Sequence, residues 1–334
     1  MKRTVYLFTL FVLFIACNSG NKESGNNEHQ TTDTIATESI VENNAAIAYT
    51  DCPLVYLIDG ELIFHNVDEN EKVKFTEEPD TIFNFTFDSD GEIMYYSVLR
   101  DNTLWLKFVD IGQSEITPQW LTNWGLTKEE CITETYGEVS PLLYYNGNLI
   151  IQHNFNWEYY NFKSIAFYSI ANNRITQKEY DYELIQKASG ELSSKKSEKY
   201  FKIVDQQLYY TRNNANVCLS NQLDFKALRG KESEDYWVET YFTDFTLSPD
   251  ETKILYGVMI EMGDLGHGPY CIANVDGNNQ MILTKTDIAS NKKYIWLKNN
   301  TVAFKNYEDN LYVANNDDNT IQKIAENVTE YKAR

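Results

Sequence analysis

The sequence predicts an all-β protein: a six-bladed β-propeller of four-stranded antiparallel blades, closed by the C-terminal strand. Three observations predict it. Short runs of β-branched and aromatic residues recur between clusters of turn residues, and a composition with 24 Tyr, 17 Phe and 6 Trp suits pleated surfaces. The turns that open successive units, at Gly91, Gly147, Gln206, Glu251 and Asn300, lie 56, 59, 45 and 49 residues apart, close to the roughly 40–50 residues of a propeller blade. Finally, the first unit is one strand short, while Asn327–Lys332 is left over at the far end. One end of the chain can then complete the blade that the other begins, which leaves no open sheet edge.

The elements follow in order. Val55–Ile58, Leu62–Asn66 and Lys72–Thr76 form the first unit around an Asp59-Gly60 turn. Phe83–Phe87, Ile93–Val98, Leu104–Val109 and Glu115–Gln119 form the second, with Asp88-Ser89-Asp90-Gly91 as its first turn. That turn has the look of a calcium loop but lacks the later ligands, and a hairpin accounts for it. Val139–Tyr145, Leu149–His153, Ser164–Ile170 and Arg174–Lys178 form the third, around Asn146-Gly147. Tyr200–Val204, Gln207–Arg212, Val217–Ser220 and Phe225–Leu228 are a more degenerate fourth. The sixth holds Lys293–Leu297, Val302–Asn306, Asn310–Ala314 and Thr320–Ile324, and residues near Val328 are expected to pair into the first.

The fifth unit, Tyr241–Thr284, is the clearest. Phe242–Leu247 alternates and is stopped by Ser248-Pro249-Asp250-Glu251, since proline pre-sets a turn and the Ser and Asp side chains bond their own backbone. Lys253–Val258 is a short apolar run, Gly263, Gly266 and Gly268 break the chain, and Tyr270–Asn274 and Gln280–Leu283 flank Asp276-Gly277. The stretch SPDETKILY followed by YCIANVDGNNQMILT resembles one blade of the TolB-like, peptidase-associated β-propeller family (WD40-like repeats). Glu251 stands where that family prefers glycine. The resemblance covers about 40 residues well, the other blades only loosely; it implies the fold rather than an activity, because propellers host unrelated functions.

At the N-terminus, Lys2 and Arg3 precede an apolar run from Val5 to Ala16 that ends at Cys17. This is the pattern of a secretory signal, and 12 residues fall short of the about 20 needed to span a bilayer. Phe14-Ile15-Ala16-Cys17 resembles the lipobox of bacterial lipoproteins, with Phe14 where leucine is usual. The resemblance implies cleavage before Cys17, diacylation of its thiol, and a lipid-anchored place in the bacterial cell envelope, periplasmic or surface-exposed. Residues 17–48 are rich in Asn, Ser, Thr, Gly and Glu with no apolar period, so they read as a flexible tether to a propeller over residues 49–334.

The full chain carries 29 Lys+Arg against 49 Asp+Glu, a net charge of -20, which becomes -22 once residues 1–16 leave. Such an exterior argues against nucleic acid and against adhesion to anionic headgroups. Cys52, Cys131, Cys218 and Cys271 remain after anchoring, and an even count in an exported chain permits disulfides. Cys218 and Cys271 sit at matching places in successive units, too far apart to bridge, and are expected as buried free thiols.

With the strands of a blade lettered a to d from the channel outwards, the b–c and d–a connections share one face. The long connections fall there: Asn154–Lys163 and Ile260–Pro269 between b and c strands, Leu121–Glu138, Asp181–Lys199 and Gly230–Glu239 between blades. Insertions gathered on one face mark it as the binding face. Trp157, Tyr159, Tyr160, Tyr236 and Trp237 place aromatics on it, suited to stacking on sugars or anchoring a protein. Asp264 and His267 share a glycine-rich loop there. These seven residues are the candidate binding face, for an envelope protein or a glycan.

No Gly-x-Ser-x-Gly elbow, His-Glu-x-x-His or phosphate-cradling Gly-x4-Gly-Lys occurs, and no cofactor is called for. The expected role is a non-catalytic binding or scaffold module. A second class stays open, because some propellers act as channel-centred glycan lyases or hydrolases, with or without a metal, from a few histidines and acids; here His65, His153 and His267 lie in the domain.

Overall fold

The computed structural model describes residues 47–132, 139–190, 197–212, 216–224, 228, 238–262, 265–283, 294–306 and 308–334. The expected signal peptide, Cys17 and all but the end of the tether lie outside them. The first blade comprises β1 (Leu54–Ile58), β2 (Glu61–Asn66) and β3 (Glu71–Lys74), and the second β4 (Ile82–Phe87), β5 (Ile93–Arg100), β6 (Thr103–Asp110) and β7 (Gln119–Thr127). The third holds β8 (Leu143–Tyr145), β9 (Asn148–Asn156), β10 (Asn161–Ser169) and β11 (Arg174–Glu179), followed by helix α1 (Tyr182–Ser189). The fourth shows β12 (Phe201–Val204), β13 (Gln207–Tyr210) and β14 (Val217–Cys218). The fifth is β15 (Val238–Leu247), β16 (Lys253–Met262), β17 (Leu265–His267), β18 (Tyr270–Asn274) and β19 (Met281–Ile282). The sixth is β20 (Ile295–Trp296), β21 (Val302–Lys305), β22 (Leu311–Asn315) and β23 (Thr320–Ala325), and β24 (Val328–Ala333) ends the chain.

Among the described residues these strands form six antiparallel sheets, and β24 pairs with β1 to give the order β24-β1-β2-β3. The leftover strand therefore supplies the innermost strand of the first blade, as the sequence predicts. Inner strands of neighbouring blades meet: β4 touches β8, and β20 touches β24.

Most inner and middle strands are buried on both faces, because each blade is clasped between two others; β12 of the fourth blade departs from this, with Lys202, Ile203 and Val204 exposed. Val55 and Leu57 of β1 pack towards the second blade with Phe64, Phe85 and Tyr96, whereas Leu54 and Tyr56 pack towards the sixth with Ala303, Leu311 and Val313. On β16, Ile254, Tyr256 and Val258 face the fourth blade, while Leu255 faces the sixth. This explains why the strands read as apolar runs rather than as apolar–polar alternation, the pattern of sheets covered on both sides. Of the outer strands, β11 is largely exposed and β3 half-buried.

The turns have the conformations their residues favour. Asp59-Gly60 and Asn146-Gly147 take positive φ at both positions, as a two-residue hairpin turn requires. Glu251 also takes φ +61°, in the left-handed region that glycine enters without steric cost. Its carboxylate pairs with Arg212 of the fourth blade.

Between the first two blades, Lys107 and Glu78 form a buried ion pair at 2.5 Å, and the Tyr96 hydroxyl donates to Glu78 at 2.6 Å. Burial, then this hydrogen bond, holds the Tyr96 phenol well above its ordinary pKa.

Several boundaries differ from the sequence reading. The outer strand of the second blade starts at Gln119 rather than Glu115, because Pro118 has no N–H for the ladder, and it runs on through Leu121–Thr127, expected as connection. In the third blade the inner strand starts at Leu143, past Pro141; Val139 makes only an isolated bridge to Ile132. Asp181–Lys199, expected as a loop, contains α1, capped by the Asp181 side chain on Leu184 N at 3.0 Å and ended by Gly190 at φ +81°. In the fourth blade, residues 225–227 of the expected last strand lie outside the described residues, and Leu228 donates to the Asp224 carbonyl, a helical bond. The fifth blade carries an extra strand, β17. All four cysteines of the domain are free; Cys52, Cys131 and Cys271 are buried, whereas Cys218, expected buried, is half-buried.

Candidate functional site

The two b–c connections predicted as loops are β-hairpins that extend their blades. In the third blade, β9 and β10 continue pairing out to Phe155↔Phe162 and Asn156↔Asn161, so only residues 157–160 form the turn. The turn is built by Asn156, whose side-chain oxygen accepts from Glu158 N at 3.1 Å and whose carbonyl accepts from Tyr159 N at 3.2 Å. Tyr160 closes it at φ +50°. Below the tip the ladder skips Asn154 and Lys163; Asn154 takes φ +58°, a conformation asparagine tolerates better than most residues.

This hairpin presents the aromatics to solvent. Trp157, Tyr159 and Tyr160 are 54%, 66% and 67% exposed. Phe155 and Phe162 beneath them are half-buried and meet edge to face at 5.0 Å, and Phe155 meets Trp157 in the same way at 5.0 Å. Trp157 thus stands on an aromatic base, a geometry worth about 0.5–1.5 kcal/mol per ring pair beyond area burial. A recess of about 530 Å³ opens on the hairpin's flank, lined by Asn154, Phe155, Asn156, Trp157, Glu158, Lys163 and Ser164.

The fifth blade extends on the same face. β16 runs past the blade body, pairing with β15 as far as Val238↔Met262 on one side and with β17 at Ile260↔His267 on the other. His267 is therefore a strand residue, where the sequence places a glycine-rich loop. Tyr236, Trp237 and Asp264 lie outside the described residues. Among the described residues, no three or more His, Cys, Asp and Glu side chains gather as a metal-ion group.

His153 lies on β9 one residue before the Asn154 break and is 1% exposed. Burial pushes its pKa below the ordinary histidine value, against the opposing pull of Glu130. Glu130 belongs to the short helical turn Glu129–Cys131, which packs on β9.

The opposite face, where the a–b turns lie, has concavities that the sequence reading passes over. One cleft of about 370 Å³ lies among Phe87, Asp88, Tyr144, Tyr145, Ser189 and Lys332. Lys332 on β24 donates to the Leu142 carbonyl at 2.7 Å and pairs with Glu330 at 3.1 Å. No local signal marks this lysine, since only ring closure brings it to the third blade. Another recess, of about 360 Å³, lies between turns of the last two blades with Asp250, Asp276, Asn300 and Asp317. There Lys253 pairs with Asp317 at 2.8 Å, and Asn300 donates to Asp250 at 2.8 Å.

No protein-family model and no curated protein matches the chain. Among solved structures it is similar to TolB from Acinetobacter baumannii, with 12% identity and a TM-score of 0.40 over 83% of this chain and 65% of TolB. It is similar to tricorn protease at 14% identity and a TM-score of 0.35, over 82% of this chain and 26% of that one. A putative 6-phosphogluconolactonase from Bacteroides fragilis NCTC 9343 shows 9% identity and a TM-score of 0.40 over 86% of this chain and 99% of its own. The chain thus spans under two thirds of the length of TolB and about a quarter of tricorn protease. Likenesses of this degree carry nothing about activity or partners, and the six-bladed ring rests on the strand pairing described above.

Proposed function

We propose that this chain is an exported, lipid-anchored binding module of the bacterial cell envelope. The propeller is its rigid frame, residues 17–48 are the tether, and diacylated Cys17 is the anchor. It binds an envelope protein or a glycan without catalysis, through the face that carries the blade-three and blade-five hairpins. The observation that supports this most is the blade-three tip, where three large aromatic side chains are more than half exposed on an ordered hairpin. Aromatics presented in this way act as anchors in recognition, with a few residues carrying most of the binding energy. A pre-formed hairpin also lowers the entropy lost on binding.

Crosslinking and capture of the lipidated protein from its own membranes, compared with a Tyr159→Ala/Tyr160→Ala variant, tests the reading. The expected result is a stoichiometric partner, or glycan-bearing material, that the variant recovers at least tenfold less well. Equal recovery by both proteins would move the binding face elsewhere. A Cys17→Ser variant that still partitions into detergent would remove the anchor from the proposal.

A further inference from the structure

We propose that the recess on the flank of the blade-three hairpin is a binding site for a neutral oligosaccharide. This rests on the reading of that face as the binding face and adds the chemical class of ligand. A sugar ring has an apolar face of C–H groups and a rim of hydroxyls. The recess offers the matching halves: the rings of Phe155 and Trp157 form an aromatic wall, and Asn154, Asn156 and Ser164 supply a polar rim. With Asn156 Oδ1 accepting from Glu158 N and Asn154 Nδ2 donating to Ser164 Oγ, the Asn156 amide N–H groups and the Asn154 side-chain carbonyl oxygen give the rim a donor and an acceptor for hydroxyls.

The wall is held in place from within the hairpin. Phe155 sits edge-on between Trp157 and Phe162, each at 5.0 Å, and Asn154 Nδ2 donates to Ser164 Oγ at 3.3 Å across the base. At about 530 Å³ the recess falls within the roughly 300–1,000 Å³ of small-ligand sites. Its two charged side chains, Glu158 and Lys163, cancel, on a chain whose net charge is -20. That balance suits an uncharged ligand and disfavours uronates, sulfated chains and phosphates. A protein partner would instead meet Tyr159 and Tyr160, which lie outside this lining set, exposed in the turn at the hairpin's tip.

The test titrates the detergent-solubilised mature protein on an array of immobilised glucan, mannan, galactan and N-acetylglucosamine oligomers, with polygalacturonate and sulfated galactan as the charged counterset. Trp157→Ala and Trp157→Phe are run beside the wild type. Saturable binding to at least one neutral series is expected. Trp157→Ala should weaken it tenfold or more and Trp157→Phe about threefold or less, since a smaller ring still stacks. Binding unchanged by Trp157→Ala, preference for the charged set, or no binding to any array member would each overturn the inference. If the arrays fail while membrane capture still depends on Tyr159 and Tyr160, only the oligosaccharide site falls and the binding face stands. If neither responds, both fall.

Discussion

The ring has two unusual seams, and they are closed by different means. Between the sixth and first blades the closure is a strand: β24 completes the first sheet, and Val328 and Tyr331 pack with Leu54, Tyr56, Leu297 and Ala303 into one buried cluster. A polar bond crosses the same seam, with Lys305 Nζ donating to the Val328 carbonyl at 2.8 Å, and beyond β24 Arg334 donates to the carbonyls of Thr50 and Cys52 ahead of β1 and of Gly91 in the second blade. Beyond the third blade the cover is a helix. Ile185 of α1 packs on Leu143, Ile150 and Ile165, which with it make up the cluster's buried residues among those described. One device ties residues 54–58 to residues 328–333 across the whole chain; the other covers a sheet face with a nearby segment. Loss of the first should open the ring, whereas loss of the second should loosen one place on it.

Truncating the chain before Val328 should have the largest effect. It removes the ladder to β1 together with Val328 and Tyr331 from the buried cluster, and the expected outcome is loss of the cooperative unfolding transition in circular dichroism. The milder Tyr331→Ala should cost about 3–5 kcal/mol, a large part of the roughly 5–15 kcal/mol that keeps a domain folded. A truncated chain that still unfolds cooperatively would show that the ring does not need its strand closure.

Ile185→Ala sharpens the contrast from the other side. An apolar truncation at a buried site costs roughly 2–5 kcal/mol, and the low end is expected here because the cluster among the described residues is small. The urea midpoint should fall with its slope unchanged, since the surface exposed on global unfolding stays the same. If Ile185→Ala destabilises as much as Tyr331→Ala, the two seams are equivalent and the distinction fails.

A further expected effect concerns pH. His153 lies between α1's blade and the aromatic hairpin, and burial lowers its folded-state pKa below the ordinary value near 6.5. The unfolded chain therefore takes up the proton first as pH falls. Stability is complete above about pH 6.5 and declines as the pH drops towards the lowered folded-state pKa, then levels off for this group. Chemical denaturation at pH 7.5 and 5.0 should show a loss in the wild type that His153→Gln reduces. An identical loss in both proteins would assign the acid sensitivity to other groups.

Much of the ring could be read from the residues because its signals are local. Asp59-Gly60, Asn146-Gly147 and Ser248-Pro249-Asp250 mark turns through their own backbone preferences, and the missing first strand made β24 predictable. What the sequence hid depends on distant pairing. Asn154–Lys163 reads as a polar and aromatic loop, yet Phe155 and Phe162 pair across it and make it a hairpin. Lys332 looks like a solvated strand lysine, and only the closed ring sets it on the Leu142 carbonyl. The helix at 182–189 carries a capping aspartate and a terminal glycine, signals strong enough to have been found, but the repeat pattern assigned that stretch to a loop.

The smallest expected effect on stability belongs to the residues with the largest expected effect on binding. Trp157, Tyr159 and Tyr160 project from the hairpin instead of filling the seams, so replacing Tyr159 or Tyr160 by alanine should shift unfolding free energy by no more than about 0.5 kcal/mol, and Trp157→Ala by about 0.5–1.5 kcal/mol, the worth of its edge-to-face pair with Phe155. Phe155 differs, because it is half-buried and braces both Trp157 and Phe162. Phe155→Ala should lower stability measurably while also weakening whatever the tip binds. Thermal melts of the four variants would separate the groups. Unchanged melts for the two tyrosine variants, a slightly lowered one for Trp157→Ala and a clearly lowered one for Phe155→Ala would mean that the exposed rings are displayed on a frame that does not need them. Exposed aromatics that add nothing to folding but weaken binding when removed are the pattern expected of recognition residues. If Trp157→Ala melted as low as Phe155→Ala, the tip would be part of the fold, and the binding face would have to be sought on the opposite side of the ring, at the cleft beside Lys332.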